Sequence, residues 1–276
     1  MEGTQDYLDK LSQELRLRNY SKRTIESYTI CLRYFFEFLK KNNVEIEDDN
    51  QELVKKFLLQ KQERGASAQT INLYLNAIKT FYKDILKSQQ KIDLRFAKKS
   101  KKLPVVLSHR EIEMIIEATI NLKHRLMISL AYGAGLRVSE VISLKVKDID
   151  FDELMIHLKG AKGNKDRITV LPEKLKSAIQ NLITEKSLND PVFESERSGI
   201  LTDRTAQAIF NHGLRKAGIK KEATFHSLRH SFATHLLENG TDIRYIQELL
   251  GHANIRTTQI YTKVTNPAVR NIKSPL

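Results

Sequence analysis

The chain reads as a mainly α protein in two domains, with a small β-sheet in the second. Apolar residues recur at helical spacing through most of its 276 residues, that periodicity lapses once near the middle, and one pair of alternating apolar runs brackets a glycine-flanked turn. The length suffices for two hydrophobic cores and is short for three.

Four helices account for the first domain. Tyr7, Leu8, Leu11 and Leu15 share one face; Ile25, Tyr28, Leu32, Phe35, Phe36 and Leu39 form a longer stripe behind a Ser21 N-cap. Leu53, Val54, Phe57 and Leu58 mark the third helix, and Ile71, Tyr74, Ile78, Phe81, Tyr82 and Ile85 the fourth, which starts near Ser67. The polar stretches Arg18–Thr24 and Ser67–Thr70 set hydroxyls, amides and cations at helix N-termini, where backbone N–H groups also attract phosphate. Between Ser88 and Val106 the pattern stops, and Lys98-Lys99-Ser100-Lys101-Lys102 precedes Pro104. Like charges keep such a run extended. The divisions predicted are a helical domain over 1–90, a basic linker over 91–106 and a second domain over 107–276.

Ser108-His109-Arg110-Glu111 is a capping box that opens the second domain. Helices are predicted to run to about Thr119, Ala134 and Leu144. Leu154, Ile156 and Leu158, then Ile168, Val170 and Leu171, are two strands around a Gly160–Asp166 turn, with Arg167 at the start of the second. A third strand is expected at Val192-Phe193. Beyond it the chain is helical, with stops at Gly218, Gly240 and Gly251.

With 46 Lys and Arg against 33 Asp and Glu, the net charge is +13, which points to a polyanionic partner. Through Lys102 there are 21 basic and 14 acidic residues, and 25 and 19 after it, so both halves are basic. That suits two lobes that each face phosphate; a lysine-rich solvated surface is the plainer account. No run approaches the roughly 20 apolar residues that span a bilayer, and the N-terminus lacks a basic segment followed by an apolar one, so a cytoplasmic protein without membrane contact is expected. The single Cys31 excludes an intrachain disulfide. No phosphate-binding glycine loop is present, and no cofactor is expected.

The chemistry lies in Gly135-Leu136-Arg137, His226-Ser227-Leu228-Arg229-His230, Leu250-Gly251-His252 and Ile260-Tyr261-Thr262. A phosphodiester under attack gathers negative charge on its non-bridging oxygens, and guanidinium forks match those oxygens without needing to deprotonate. Arg137 and Arg229 are therefore the expected clamp and Tyr261 the nucleophile. His226 can accept the phenolic proton, and Glu140, one turn after Arg137, orients its guanidinium. Each residue also has a bland reading. Arginines in a basic protein are mostly solvated, and most tyrosines are core aromatics. His226 and His230 stand four apart as zinc ligands do, but the glutamate of a His-Glu-x-x-His site is missing. His230 and His235 are read as helix-packing or surface histidines without a role.

Taken in order, these residues resemble the tyrosine recombinase (phage integrase) family, closest to its Xer-type members. The resemblance covers nearly the whole chain and is most specific over 132–144 and 224–263. It implies an N-terminal core-binding (SAM-like) domain and a C-terminal catalytic domain. It places Arg137 and Arg229 on the scissile phosphate, His226 in proton transfer, His252 as a hydrogen-bond donor, Tyr261 as nucleophile and Lys162 as general acid, with Lys165 in the same turn as the competing lysine. The implied activity is site-specific strand exchange through a 3′-phosphotyrosyl link, without metal or cofactor, by four protomers on paired double-stranded DNA sites. Its implied setting is chromosome dimer resolution, alone or with a second recombinase or a DNA translocase. Residues 266–276 would tether neighbouring protomers. The rival readings are a mobile-element integrase, a type IB topoisomerase-like swivel, and a DNA-binding protein that has lost catalysis.

Overall fold

The computed structural model describes residues 2–46, 51–89, 92–98, 103–161, 165–195, 199 and 201–263. The chain divides into two compact units, Met1–Lys101 and Lys102–Leu276.

In the first unit α1 (Glu2–Leu17), α2 (Lys22–Lys41), α3 (Gln51–Glu63) and α4 (Ala68–Thr80) set their predicted stripes, Leu53 excepted, in or against one core. Its centre is aromatic. Phe57 meets Phe35 and Tyr74 edge to face at 5.2 and 5.3 Å, the arrangement that ring quadrupoles favour. Ser21 and Ser67 cap α2 and α4, each accepting from the backbone N–H three residues on, so these hydroxyls serve the helix ends. The fourth helix does not run uniformly to Ile85 as its stripe predicts: Phe81–Ile85 widens into a π-helical turn, which keeps Phe81 and Tyr82 both in the core. Part of the segment read as linker lies against this unit. Asn72 exchanges two hydrogen bonds with the backbone of Ala97, Lys79 donates to the Leu94 carbonyl, and Ile92 is buried.

The second unit begins with the predicted capping box, in which Ser108 and Glu111 exchange hydrogen bonds at the start of α5 (His109–Ala118). It continues with α6 (Leu122–Gly133) and α7 (Val138–Ser143). The sheet is an antiparallel meander of β1 (Ile149–Asp150), β2 (Met155–Ala161) and β3 (Lys165–Val170). Then follow α8 (Lys176–Ile183), α9 (Asp203–Lys216), α10 (Phe225–Glu238), α11 (Ile243–Leu250), α12 (Ile255–Thr258) and a 3₁₀ turn at Tyr261–Lys263.

The third strand is not where the sequence placed it. Val192-Phe193 plugs the core beside Leu144, whose carbonyl accepts from the Val192 N–H, and the sheet is completed by Ile149-Asp150 opposite Ile156 and Met155. A two-residue strand leaves no alternation to read, and a buried apolar dipeptide looks the same in a strand and in a plug. The hairpin itself pairs Ile156 with Thr169 and Leu158 with Arg167, so the inward face carries an arginine.

A second, smaller core of Phe232, Ala233, Ile246, Leu250 and Tyr261 joins α10, α11 and the final turn. Among the described residues no helix is long and apolar enough to cross a membrane.

Gly135 turns the chain between α6 and α7 at φ +60°, and a Cβ there would come within 2.4 Å of the Phe232 ring. Left-handed backbone costs a non-glycine residue about 1–2 kcal/mol and overpacking about 1–3. Gly135→Ala is expected to lower unfolding free energy by about 2–5 kcal/mol in urea denaturation, from those two costs together. A change below ~0.5 kcal/mol, the scale of surface substitutions, would mean that the turn relaxes freely.

Candidate active site

Four elements meet at the C-terminal end of α11. Arg137 stands just ahead of α7, Arg167 comes from the inward face of β3, Arg229 from the middle of α10, and His252 follows α11 directly. A helix end leaves its last carbonyls without intrahelical partners and carries partial negative charge. Here the arginines take them up. Arg167 donates to the Leu249 carbonyl, and Arg137 and Arg229 both donate to that of Leu250. Gly251 then ends the helix in the left-handed conformation, φ +60°, as its sequence position predicts.

Glu140 is the one carboxylate among these cations. Its Oε1 accepts from Arg137 Nη1 at 2.6 Å and Arg167 Nε at 3.3 Å; its Oε2 accepts from Arg167 Nη2 and the Arg137 backbone N–H, each at 2.7 Å. The orienting role expected of Glu140 toward Arg137 is present, and a second arginine shares it. Burial alone would push the carboxyl up, but Arg167, with Arg137, holds it down at about 2. It is ionised at neutral pH.

Arg229 is the most enclosed of the three, 1% exposed. Its Nη1 donates to the Gly135 carbonyl at 2.7 Å and stands 3.8 Å from Glu140 Oε2. Burial first, then Arg137 and Arg167, lowers its pKa to about 9. Three guanidinium groups against one carboxylate make a strongly cationic seat, and a seat of that kind favours an anion.

Tyr261 lies 2% exposed in the small second core. Burial raises its pKa while Arg229 and Arg137 oppose the rise. Its hydroxyl meets Nδ1 of His230 at 3.1 Å, and the His226 ring stands edge-on to His230 with centroids 4.5 Å apart. His230 received no role from the sequence, yet it is the nucleophile candidate's partner. One turn of helix separates it from His226, and the His-x-x-Arg-His run alone does not say which ring faces Tyr261. His252 bonds through Nδ1 to the Thr258 hydroxyl at 2.9 Å. Lys162 lies outside the described residues, as do residues 266–276. Arg167 was read only as a strand start; its place two residues before Thr169, on the face that alternates inward, was the signal available.

Among the described residues no three of His, Cys, Asp and Glu converge to hold a metal ion. An open groove of about 710 Å³ runs beside the site, lined by His157, Lys159, Arg167, Gln247 and His252 among others.

The histidines are tuned toward neutrality. Burial, then His226 and Arg229, lowers His230 to about 4; burial, then Arg229 and Arg137, lowers His252 to about 3. A depressed folded pKa means that the unfolded chain binds more protons in acid. Stability is therefore complete above the ordinary value of 6.5 and lost as pH falls through 4 and 3. The melting temperature should fall on acidification below about pH 6.5, the ordinary histidine range. Replacing His230 with Gln should make that fall shallower, and an unchanged slope in a pH series of thermal melts would rule His230 out as a source.

Comparison with known proteins bears on the whole chain. Residues 105–267 match the phage integrase family, and residues 7–92 match the phage integrase N-terminal SAM-like domain. Tyrosine recombinase XerA of Pyrococcus horikoshii is 38% identical, covering 96% of this chain and 91% of its own. Tyrosine recombinase XerD of Oceanobacillus iheyensis is 34% identical over 92% of each. A solved XerA recombinase aligns with a TM-score of 0.56 at 32% identity, over 97% of this chain and 96% of that one. A XerH site-specific recombinase bound to its difH substrate in a pre-cleavage complex gives a TM-score of 0.73 at 27% identity, over 95% and 82%. With a helical first unit that matches the SAM-like domain and a second that matches the integrase domain, the chain belongs to the phage integrase family, alongside the Xer-type tyrosine recombinases.

Proposed function

We propose that this protein is a site-specific DNA recombinase that cuts and rejoins strands through a 3′-phosphotyrosyl link. The observation that carries the reading is the three-arginine cluster at the end of α11, set in the same small region as a buried tyrosine hydroxyl. Arg137 and Arg229 hold the non-bridging oxygens of the scissile phosphate. The Tyr261 oxygen attacks phosphorus; the new O–P bond forms as the bond to the 5′ oxygen breaks. The phenolic proton passes to a histidine, His226 by analogy with the family, with His230 already in contact. Lys162 protonates the departing 5′ oxygen, Lys165 being the alternative donor. A 5′-hydroxyl from a partner strand then attacks the phosphotyrosyl link, and Tyr261 leaves with its proton restored.

His252 acts in the neutral state. The Thr258 hydroxyl lies 2.9 Å from Nδ1; with that hydroxyl as donor the ring proton sits on Nε2, and an uncharged imidazole offers an N–H to the phosphate. The basic charge of both halves supports contact with duplex DNA along both units, and the helix N-termini at Ser21 and Ser67 are suited to its backbone. Exchange between two duplexes uses four active sites and hence four protomers, with residues 266–276 as the tether between them. Chromosome dimer resolution is the setting that the Xer-type resemblance implies, and the relatives named XerA, XerC and XerD are of that type.

Tyr261→Phe is expected to bind DNA normally and form no covalent adduct. The assay is a suicide substrate nicked beside the cleavage point, resolved on a denaturing gel. An adduct from the phenylalanine variant would move the nucleophile elsewhere.

The two lysines separate by leaving-group chemistry. Sulfur in place of the bridging 5′ oxygen departs with little help from an acid. It should restore cleavage to Lys162→Ala and not to Lys165→Ala; the reverse pattern assigns the acid to Lys165.

A further inference from the structure

Every N–H-bearing nitrogen of the Arg167 guanidinium is engaged inside the protein. Nε and Nη2 cover the two oxygens of Glu140, and Nη1 donates to the Leu249 carbonyl. The side chain is 4% exposed, and its Cδ packs on Gly251 where any Cβ would stand within 2.5 Å. Its fork is committed to the carboxylate and to a helix-end carbonyl. Unlike Arg229, whose hydrogen-bond partners are neutral carbonyls, Arg167 spends its charge on a carboxylate.

The neighbour at issue is the carboxylate. Glu140 Oε2 lies 3.8 Å from Arg229 Nη1, and ion pairs close at about 2.7–2.9 Å, so a shift of roughly 1 Å would seat the carboxylate on Arg229. Arg229 now donates to the neutral carbonyls of Gly135 and Leu250, which satisfy its N–H groups and leave its charge intact. In an interior with little water, attraction between the two ions is strong. Arg167 opposes it by occupying both carboxylate oxygens at once, a grip that a planar fork provides and an ammonium does not. Resting on the reading of Arg137 and Arg229 as the phosphate clamp, we propose that Arg167 is a positioning residue that holds Glu140 off Arg229, so that the clamp's charge remains available to the scissile phosphate.

The test uses the full chain on two suicide substrates, one with the ordinary phosphodiester at the scissile position and one with a methylphosphonate, which carries no negative charge there. Wild-type, Arg167→Met and Arg167→Lys proteins are compared for the rate of adduct formation at saturating protein, with thermal melts alongside. Loss of Arg167 should slow phosphodiester cleavage about 10²-fold, the scale of one lost preorganised cation, and methylphosphonate cleavage less than about 10-fold. Arg167→Lys should show the same selectivity, because it keeps the charge without the fork, and it decides the matter if Arg167→Met does not fold. Equal losses on both substrates would make Arg167 merely structural and overturn the role. So would full activity in Arg167→Lys, since charge alone would then suffice. Absence of a wild-type adduct on the phosphodiester would strike the nucleophile assignment itself, which separates that failure from this one.

Discussion

One carboxylate set among three guanidinium groups, and bonded to two of them, organises the candidate site. Glu140 ties the start of α7 to β3, and the arginines it faces tie α10 to the end of α11. The arrangement satisfies groups that would otherwise be costly, since helix-end carbonyls and buried N–H groups both need partners. It also sets the local potential. A pairing of equal numbers would have made a structural salt bridge; three against one leaves an excess of positive charge that solvent does not dissipate.

That excess reaches the histidines. His226, His230 and His252 all have lowered pKa values; loss of water is the largest cause for each, followed by Arg229 for His226 and His252 and by His226 and then Arg229 for His230. Burial in a region rich in positive charge therefore holds these imidazoles neutral, which is the state in which they can accept a proton or donate one N–H without adding repulsion. Burial sets the tuning, and the cations that fix the arrangement add to it.

The helical stripes, the caps at Ser21, Ser67 and Ser108, the hairpin and the glycine stops were legible because each rests on a local rule of spacing or backbone freedom. Arg137, Arg229, His252 and Tyr261 stood out as candidates by residue type and order, and the structure gathers them around the end of α11. What escaped was set by tertiary packing. The two-residue β1 has no period. The π-helical turn at Phe81 answers to two aromatic rings that both need burial. His230 and Arg167 are ordinary in sequence and acquire their partners only when α10 meets the last turn and β3 meets α11.

Tyr261 belongs at once to a polar constellation and to a hydrophobic cluster with Phe232, Ala233, Ile246 and Leu250. Its resting place is thus decided by side chains that have no chemistry of their own. Trimming Ile246 by a methylene would alter how firmly the phenol is seated, and so the fraction of time it can swing toward a phosphate, while every charged residue stayed in place. For this protein the mutational target for loss of activity extends into oily positions on α10 and α11 that an inventory of polar groups would pass over.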